Sequence, residues 1–175
     1  MGTIRDEILQ TRPFASAAEE AVVTLVATAD RVRDGLTQVV ERSGITLQQY
    51  NVLRILRGAG ASGLPTLDIA ARMIDKSPGI TRLVERLEAR RLVRRVRCPE
   101  DRRQVLCYAT AQALRLLADL DAPMAEAAGR FLGALDRSRC LELIGLLDTI
   151  RAAAASSFKR PAKPIPSTRT KETRE

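Results

Sequence analysis

The chain has 175 residues, 29 Lys or Arg against 21 Asp or Glu, three cysteines, two Tyr, three Phe and no histidine. Without histidine, Ser–His–Asp and Cys–His catalysis and His-bearing metal sites are excluded, and no phosphate loop or paired-carboxylate motif suggests an enzyme or a cofactor. Three cysteines make no disulfide framework, no apolar run is long enough to span a bilayer, and the first residues do not read as a signal peptide, so a cytoplasmic protein without membrane contact is expected.

In chain order, the first predicted element is a long helix over 15–42, with Val22, Leu25, Val26, Leu36, Val39 and Val40 on one broad face. Thr46 with Gln49 forms a capping-box pattern that opens a second helix, TLQQYNVLRIL, and the cluster Gly58 to Gly63 closes it. Thr66 reads as the cap of a short helix over 67–73. Ser77 and Pro78 read as the cap and first residue of the next helix, since proline has no N–H to leave unsatisfied there. In that helix Ile80, Leu83, Val84 and Leu87 make one apolar stripe, and Gly79, Thr81, Arg82, Glu85 and Arg86 fall away from it. Two extended runs, 93–98 and 104–109, follow, joined by Pro99-Glu100-Asp101-Arg102-Arg103 in a hairpin turn. Thr110 is the predicted cap of a helix over 111–133, with a kink or break expected near Ala122 because of Pro123. Asp136 caps a last helix over 137–155, and the tail from Ser156, with three prolines, is expected to be disordered and basic.

Charge is concentrated in one place. Residues 76–103 hold ten Lys or Arg and four acids, a net +6 out of +8 for the whole chain. That is the footprint of a polyanion-binding surface. Small residues at the start of the basic helix allow close approach to a base-pair edge, and Arg82 and Arg86 suit guanine or phosphate. For this helix alone, a solvated charged face is the competing reading. The hairpin adds weight, because Arg102 and Arg103 at its tip serve no core. Arg103, held by Asp101, is the candidate minor-groove probe, and Arg102 the candidate phosphate contact. The five aromatic residues lie outside this stretch, which disfavours single-strand or RNA binding by stacking. A basic amphipathic helix followed by a basic hairpin is the layout of a winged helix.

From about Ile45 to Thr110 the chain resembles the winged helix-turn-helix of the MarR family of bacterial transcriptional regulators. The resemblance rests on TLQQYNVLRIL (46–56), LDIAARM (67–73), PGITRLVERLEARRLVRR (78–95) and Asp101-Arg102-Arg103 followed by VLCYAT (105–110). Two departures are the absence of Gly at Arg91, where the chain leaves the basic helix, and at Ala113. The resemblance implies a mainly α fold with a small β-hairpin wing, and N- and C-terminal helices interlocked in a homodimer. Residues 1–44 and 111–155 would form the dimerisation region, 45–110 the winged helix-turn-helix and 156–175 the tail. The apolar helices outside the winged segment call for a partner in any case. Such a dimer reads a pseudo-palindromic duplex operator, its two reader helices about 34 Å apart. The candidate DNA-binding residues are Ser77, Pro78, Gly79, Thr81, Arg82, Arg86, Asp101, Arg102 and Arg103. In the resembled family, small aromatic ligands bind between dimer helices and winged domain and lower DNA affinity. Here the first, second and post-wing helices would line that pocket, with Tyr50 and Arg54 as candidates, unless both are simply core or surface residues. The expected function is therefore a ligand-responsive homodimeric repressor. Alternatives are a redox-responsive regulator using Cys98, Cys107 or Cys140, with a Cys98–Cys107 cross-strand pair conceivable, or a dimeric protein-binding adaptor without DNA binding.

Overall fold

In the computed structural model, which describes residues 2–76, 79–98 and 104–157, the first element is α1 (Ile4–Glu7), a single turn too short to show a period in the sequence. Its Glu7 meets Arg31 of the next helix at 2.6 Å. That helix, α2 (Ala17–Glu41), starts where the Ser16 side chain accepts from the Glu19 N–H at 3.2 Å. It closes in a Schellman turn, with Ile45 N–H donating to the Val40 carbonyl (3.4 Å) and Gly44 N–H to Glu41 (2.8 Å). Gly44 sits there at φ +70°, the left-handed position that glycine fills at least cost.

The predicted capping box opens α3 (Leu47–Ala59): Gln49 N–H donates to Thr46 Oγ1 at 3.2 Å, and Thr46 N–H to Gln49 Oε1 at 3.0 Å. After a 3₁₀ turn at Gly60–Ser62 comes a strand the sequence pattern did not indicate, β1 (Leu64–Pro65). Two residues carry no alternation to read. Strand pairing also corrects the reading of Thr66 as a cap. Pro65 pairs with Leu106 and takes the cap position, so Thr66 becomes the first residue of α4 (Thr66–Arg72). Its hydroxyl lies 3.8 Å from Cys107 Sγ instead.

The basic helix, α5 (Ile80–Ala89), begins two residues later than Pro78 suggests, with Gly79 at the N-cap position and no side-chain cap. Gly79 has φ +118°, a backbone state that side chains disfavour, so it stands before the helix and not on its face. Ser77 and Pro78 lie outside the described residues. At the other end, the missing glycine is replaced by a left-handed arginine. Leu92 N–H donates to Leu87 (2.9 Å) and Arg91 N–H to Glu88 (2.8 Å), a Schellman turn with Arg91 at φ +58° in glycine's usual place.

The chain then forms β2 (Val93–Arg97) and β3 (Val105–Ala109), which with β1 make an antiparallel sheet in the order β1-β3-β2. Arg95 pairs with Cys107 and Arg94 with Tyr108. Val93, Arg95 and Cys107 therefore share one face of the sheet, and Arg94, Val96 and Tyr108 the other. The register also rules out the conceivable Cys98–Cys107 pair. Arg95 occupies the position opposite Cys107, Cys98 bonds to the Gln104 carbonyl, and all three cysteines are free.

Thr110 caps α6 (Ala111–Leu132) as predicted, accepting from Ala113 N–H at 3.2 Å. No break occurs at Pro123; the helix runs through it. Leu117 and Leu120 before the proline and Ala127 after it are all buried, so the turns on both sides are anchored. The one hydrogen bond lost to proline falls on an exposed surface.

Residues up to Phe131 form one compact unit, whose core joins Val52, Leu53 and Leu56 of α3 to Ile69, Leu87, Cys107 and Leu117. Truncating Leu53 or Leu87 to alanine would cost about 2–5 kcal/mol, since both are completely buried. Residues from Leu132 form a second unit built on α7 (Arg137–Ser157). Asp136 caps it as expected, accepting from Arg139 N–H at 2.8 Å. No residue of α7 is buried, and among the described residues no helix is long and apolar enough to cross a membrane.

Candidate nucleic-acid interface

On α5, burial of Val84 and Leu87 turns the opposite side outward, and Thr81, Arg82, Glu85 and Arg86 are exposed there. That is the division expected from the apolar stripe. The helix is preceded by α4 and a turn in which Ile74 N–H donates to Asn51 Oδ1 of α3 at 3.1 Å. α4 and α5 thus stand as the two helices of a helix-turn-helix.

Local contacts sort the basic residues of this segment into two groups. Several are used within the fold. Lys76 donates to the Ala71 carbonyl, Arg90 reaches the Gly44 carbonyl at 2.5 Å, and Arg94 lies over the Tyr108 ring at 4.7 Å. Tyr108 itself packs so close to Gly63 that a Cβ there would fall 2.6 Å from the ring. Arg95 binds Glu88 of α5, with Nε and Nη2 at 2.6 and 2.5 Å from a single carboxylate oxygen. That bond holds the Glu88 carboxyl below the usual carboxylate range and raises the Arg95 guanidinium. The second group is Arg82, Arg86, Arg91 and Arg97, all exposed. Among the described residues none of their side chains has a hydrogen-bonding or ionic partner. Charges with no partner inside the fold are the ones available to a polyanion.

Of the sequence candidates, the structure brings Thr81, Arg82 and Arg86 together on one exposed face, with Gly79 at its N-terminal edge. Ser77, Pro78, Asp101, Arg102 and Arg103 lie outside the described residues. Arg97 was missed as a candidate, and so was the Glu88–Arg95 pair. The register of the hairpin would have separated Arg95 from Arg94, but it depends on a turn whose geometry the sequence leaves open.

Cys107 is wholly buried, and burial pushes its thiol pKa up, against smaller opposing effects of the Thr66 hydroxyl and Arg95. A reactive thiol needs the reverse. Tyr50 is also buried, with Arg54 5.9 Å above its ring. Neither lines the two cavities beside α6. One, of about 290 Å³, lies between α2 and α6, with Val39, Leu120, Pro123 and Phe131 as apolar lining and Arg42, Glu126 and Arg130 among the polar groups. The other, of about 310 Å³, is bounded by Ser43, Arg90, Gln112, Arg115 and Asp119.

A helix-turn-helix with free guanidinium groups on its second helix, followed directly by two antiparallel strands of which the first is basic, defines a winged-helix DNA-binding protein. The sequence profile of the MarR family matches residues 43–104. Among solved structures, the MarR transcription factor of Planctomyces limnophilus is 39% identical, over 78% of this chain and 99% of its own, with a TM-score of 0.60. CouR of Rhodococcus jostii, solved with p-coumaroyl-CoA bound, is 28% identical over 84% of this chain and all (100%) of its own, with a TM-score of 0.66. BpsR of Bordetella bronchiseptica, whose DNA binding is regulated by 6-hydroxynicotinic acid, is 27% identical over 76% and 99%, with a TM-score of 0.64. No curated protein matches the chain. The chain belongs to the MarR family: it is a DNA-binding transcription regulator and not an enzyme.

Proposed function

We propose that the chain is a homodimeric repressor of a pseudo-palindromic duplex operator, released from DNA by a small aromatic ligand. The observation that carries the DNA-reading part is the exposed row Thr81, Arg82 and Arg86 on α5, whose guanidinium groups have no partner among the described residues. In this reading Arg82 and Arg86 enter the major groove, and Gly79, with Ser77 and Pro78 before it, allows the helix start to approach closely. Arg102 and Arg103 work at the wing tip, with Asp101 holding Arg103.

Dimerisation is supported by apolar surface left uncovered in the single chain. On α2, Val22 and Val26 are 61% and 56% exposed, and on α7, Leu141 and Ile144 are 59% and 53% exposed. A second copy is the partner that residues 1–44 and 111–155 are proposed to meet, leaving 45–110 to read DNA. The ligand is assigned to the α2–α6 cavity, whose apolar lining and charged edge suit an aromatic acid better than buried Tyr50 does. 6-Hydroxynicotinic acid, named for BpsR, is an acid of that kind, and p-coumaroyl-CoA, named for CouR, carries an aromatic acyl group as a thioester.

The test is duplex binding by the full chain as a function of salt, with operators selected from a random pool. The expected result is a selected inverted repeat and an affinity falling by roughly 0.9 log units per log unit of salt for each phosphate contacted. Binding that selects no sequence, or that ignores salt, would refute the reading.

A further inference from the structure

The two elements that carry free guanidinium groups, α5 with Arg82 and Arg86 and β2 with Arg97, are joined by a turn at Arg91 that holds a left-handed arginine. Among the described residues, one side-chain bridge crosses directly from α5 to β2. It is Glu88 to Arg95, with both guanidinium contacts on the same oxygen. Arg95 shares its sheet face with buried Val93 and Cys107, while its own side chain stays about one-third (33%) exposed. Glu88 reaches it there from α5. Two residues further along β2, on the same face, stands exposed Arg97.

We propose that Glu88 and Arg95 are positioning residues for sequence reading: their ion pair fixes the wing against the reader helix, so that both meet their grooves in one register. Neither residue needs to touch DNA for this. The proposal rests on the DNA-reading function above and deepens it by naming what couples the two contact elements.

Glu88→Gln and Arg95→Gln change the charge in opposite directions. If charge alone matters, the first should bind all duplexes more tightly and the second less tightly. The positioning role predicts something different. In both variants the ratio of affinity for the selected operator to affinity for random duplex falls, by roughly tenfold. The double variant Glu88→Arg/Arg95→Glu keeps the net charge and should recover most of that ratio. Urea midpoints should stay near the wild-type value, since a half-exposed pair adds little stability, which separates positioning from loss of fold. An unchanged ratio in Glu88→Gln, or a loss confined to Arg95→Gln, would overturn the proposal, the latter by making Arg95 a direct DNA contact. No recovery in the double variant would overturn it as well. A wild-type chain that selects no operator would instead overturn the DNA-reading function, and this role with it.

Discussion

The hydroxyl of Thr110 donates to the carbonyl of Arg91 at 2.8 Å and accepts from the N–H of Ala113 at 3.2 Å. One side chain thus closes the turn after the reader helix and starts the helix after the wing. The Thr110 N–H, bonded to the Leu92 carbonyl at 3.1 Å, reinforces the join. Thr110→Val keeps the shape and removes both side-chain bonds. It is expected to destabilise the chain by about 1–2 kcal/mol, in line with lost helix caps, as read from urea unfolding.

Arg91 itself is in a backbone state that costs a non-glycine residue about 1–2 kcal/mol. Arg91→Gly should therefore raise the unfolding free energy by up to about 1 kcal/mol, part of the relief being offset by glycine's greater freedom when unfolded. A β-branched residue should do the opposite. If Arg91→Val proves as stable as the wild type, the left-handed turn is not formed in solution.

Acid should weaken the contact between α3 and α6. Arg57 donates two hydrogen bonds to Asp121, at 2.9 and 3.0 Å, and these hold the Asp121 carboxyl below its ordinary value. The unfolded carboxyl, near about 3.9, takes up its proton first as pH falls. The contribution is thus full above that value and is lost as pH drops through the lower folded one. Glu88, paired with Arg95, shifts in the same direction. Stability should decline below about pH 4, and Asp121→Asn should flatten part of the decline. An identical acid profile in the variant would show that the pair is not maintained in solution.

Cys107 titrates in the opposite sense. Its folded pKa is raised by burial, so its contribution is full below the unfolded value of about 8.5 and is lost as pH rises toward the folded one. Iodoacetamide at pH 8 should modify half-buried Cys98 and Cys140 in the native chain, and Cys107 only after unfolding. Mass spectrometry of digested samples checks this; native alkylation of Cys107 would reopen a redox role.

Arg82→Ala should lose about 1–3 kcal/mol of affinity for a selected operator and much less for random duplex, as expected of a bidentate base contact. Titration of the two duplexes at one salt concentration measures both. Equal losses would reassign Arg82 to phosphate.

The local elements and the basic surface were legible without coordinates, because their causes lie within a few residues. The Thr46–Gln49 box, the Asp136 cap and the Ile80, Leu83, Val84, Leu87 stripe are all set by spacing along one helix, and so is the outward row of Thr81, Arg82 and Arg86. What the sequence left open depends on partners distant along the chain. The two-residue β1 exists only because β3 pairs with it, and that pairing displaces Thr66 from the cap. α6 stays whole through Pro123 because buried residues hold the turns on both sides. Arg91 can stand in for glycine because Thr110, nineteen residues on, bonds to its carbonyl. Composition placed ten basic residues in one segment, but only register and packing decided which of them bind the protein and which face outward.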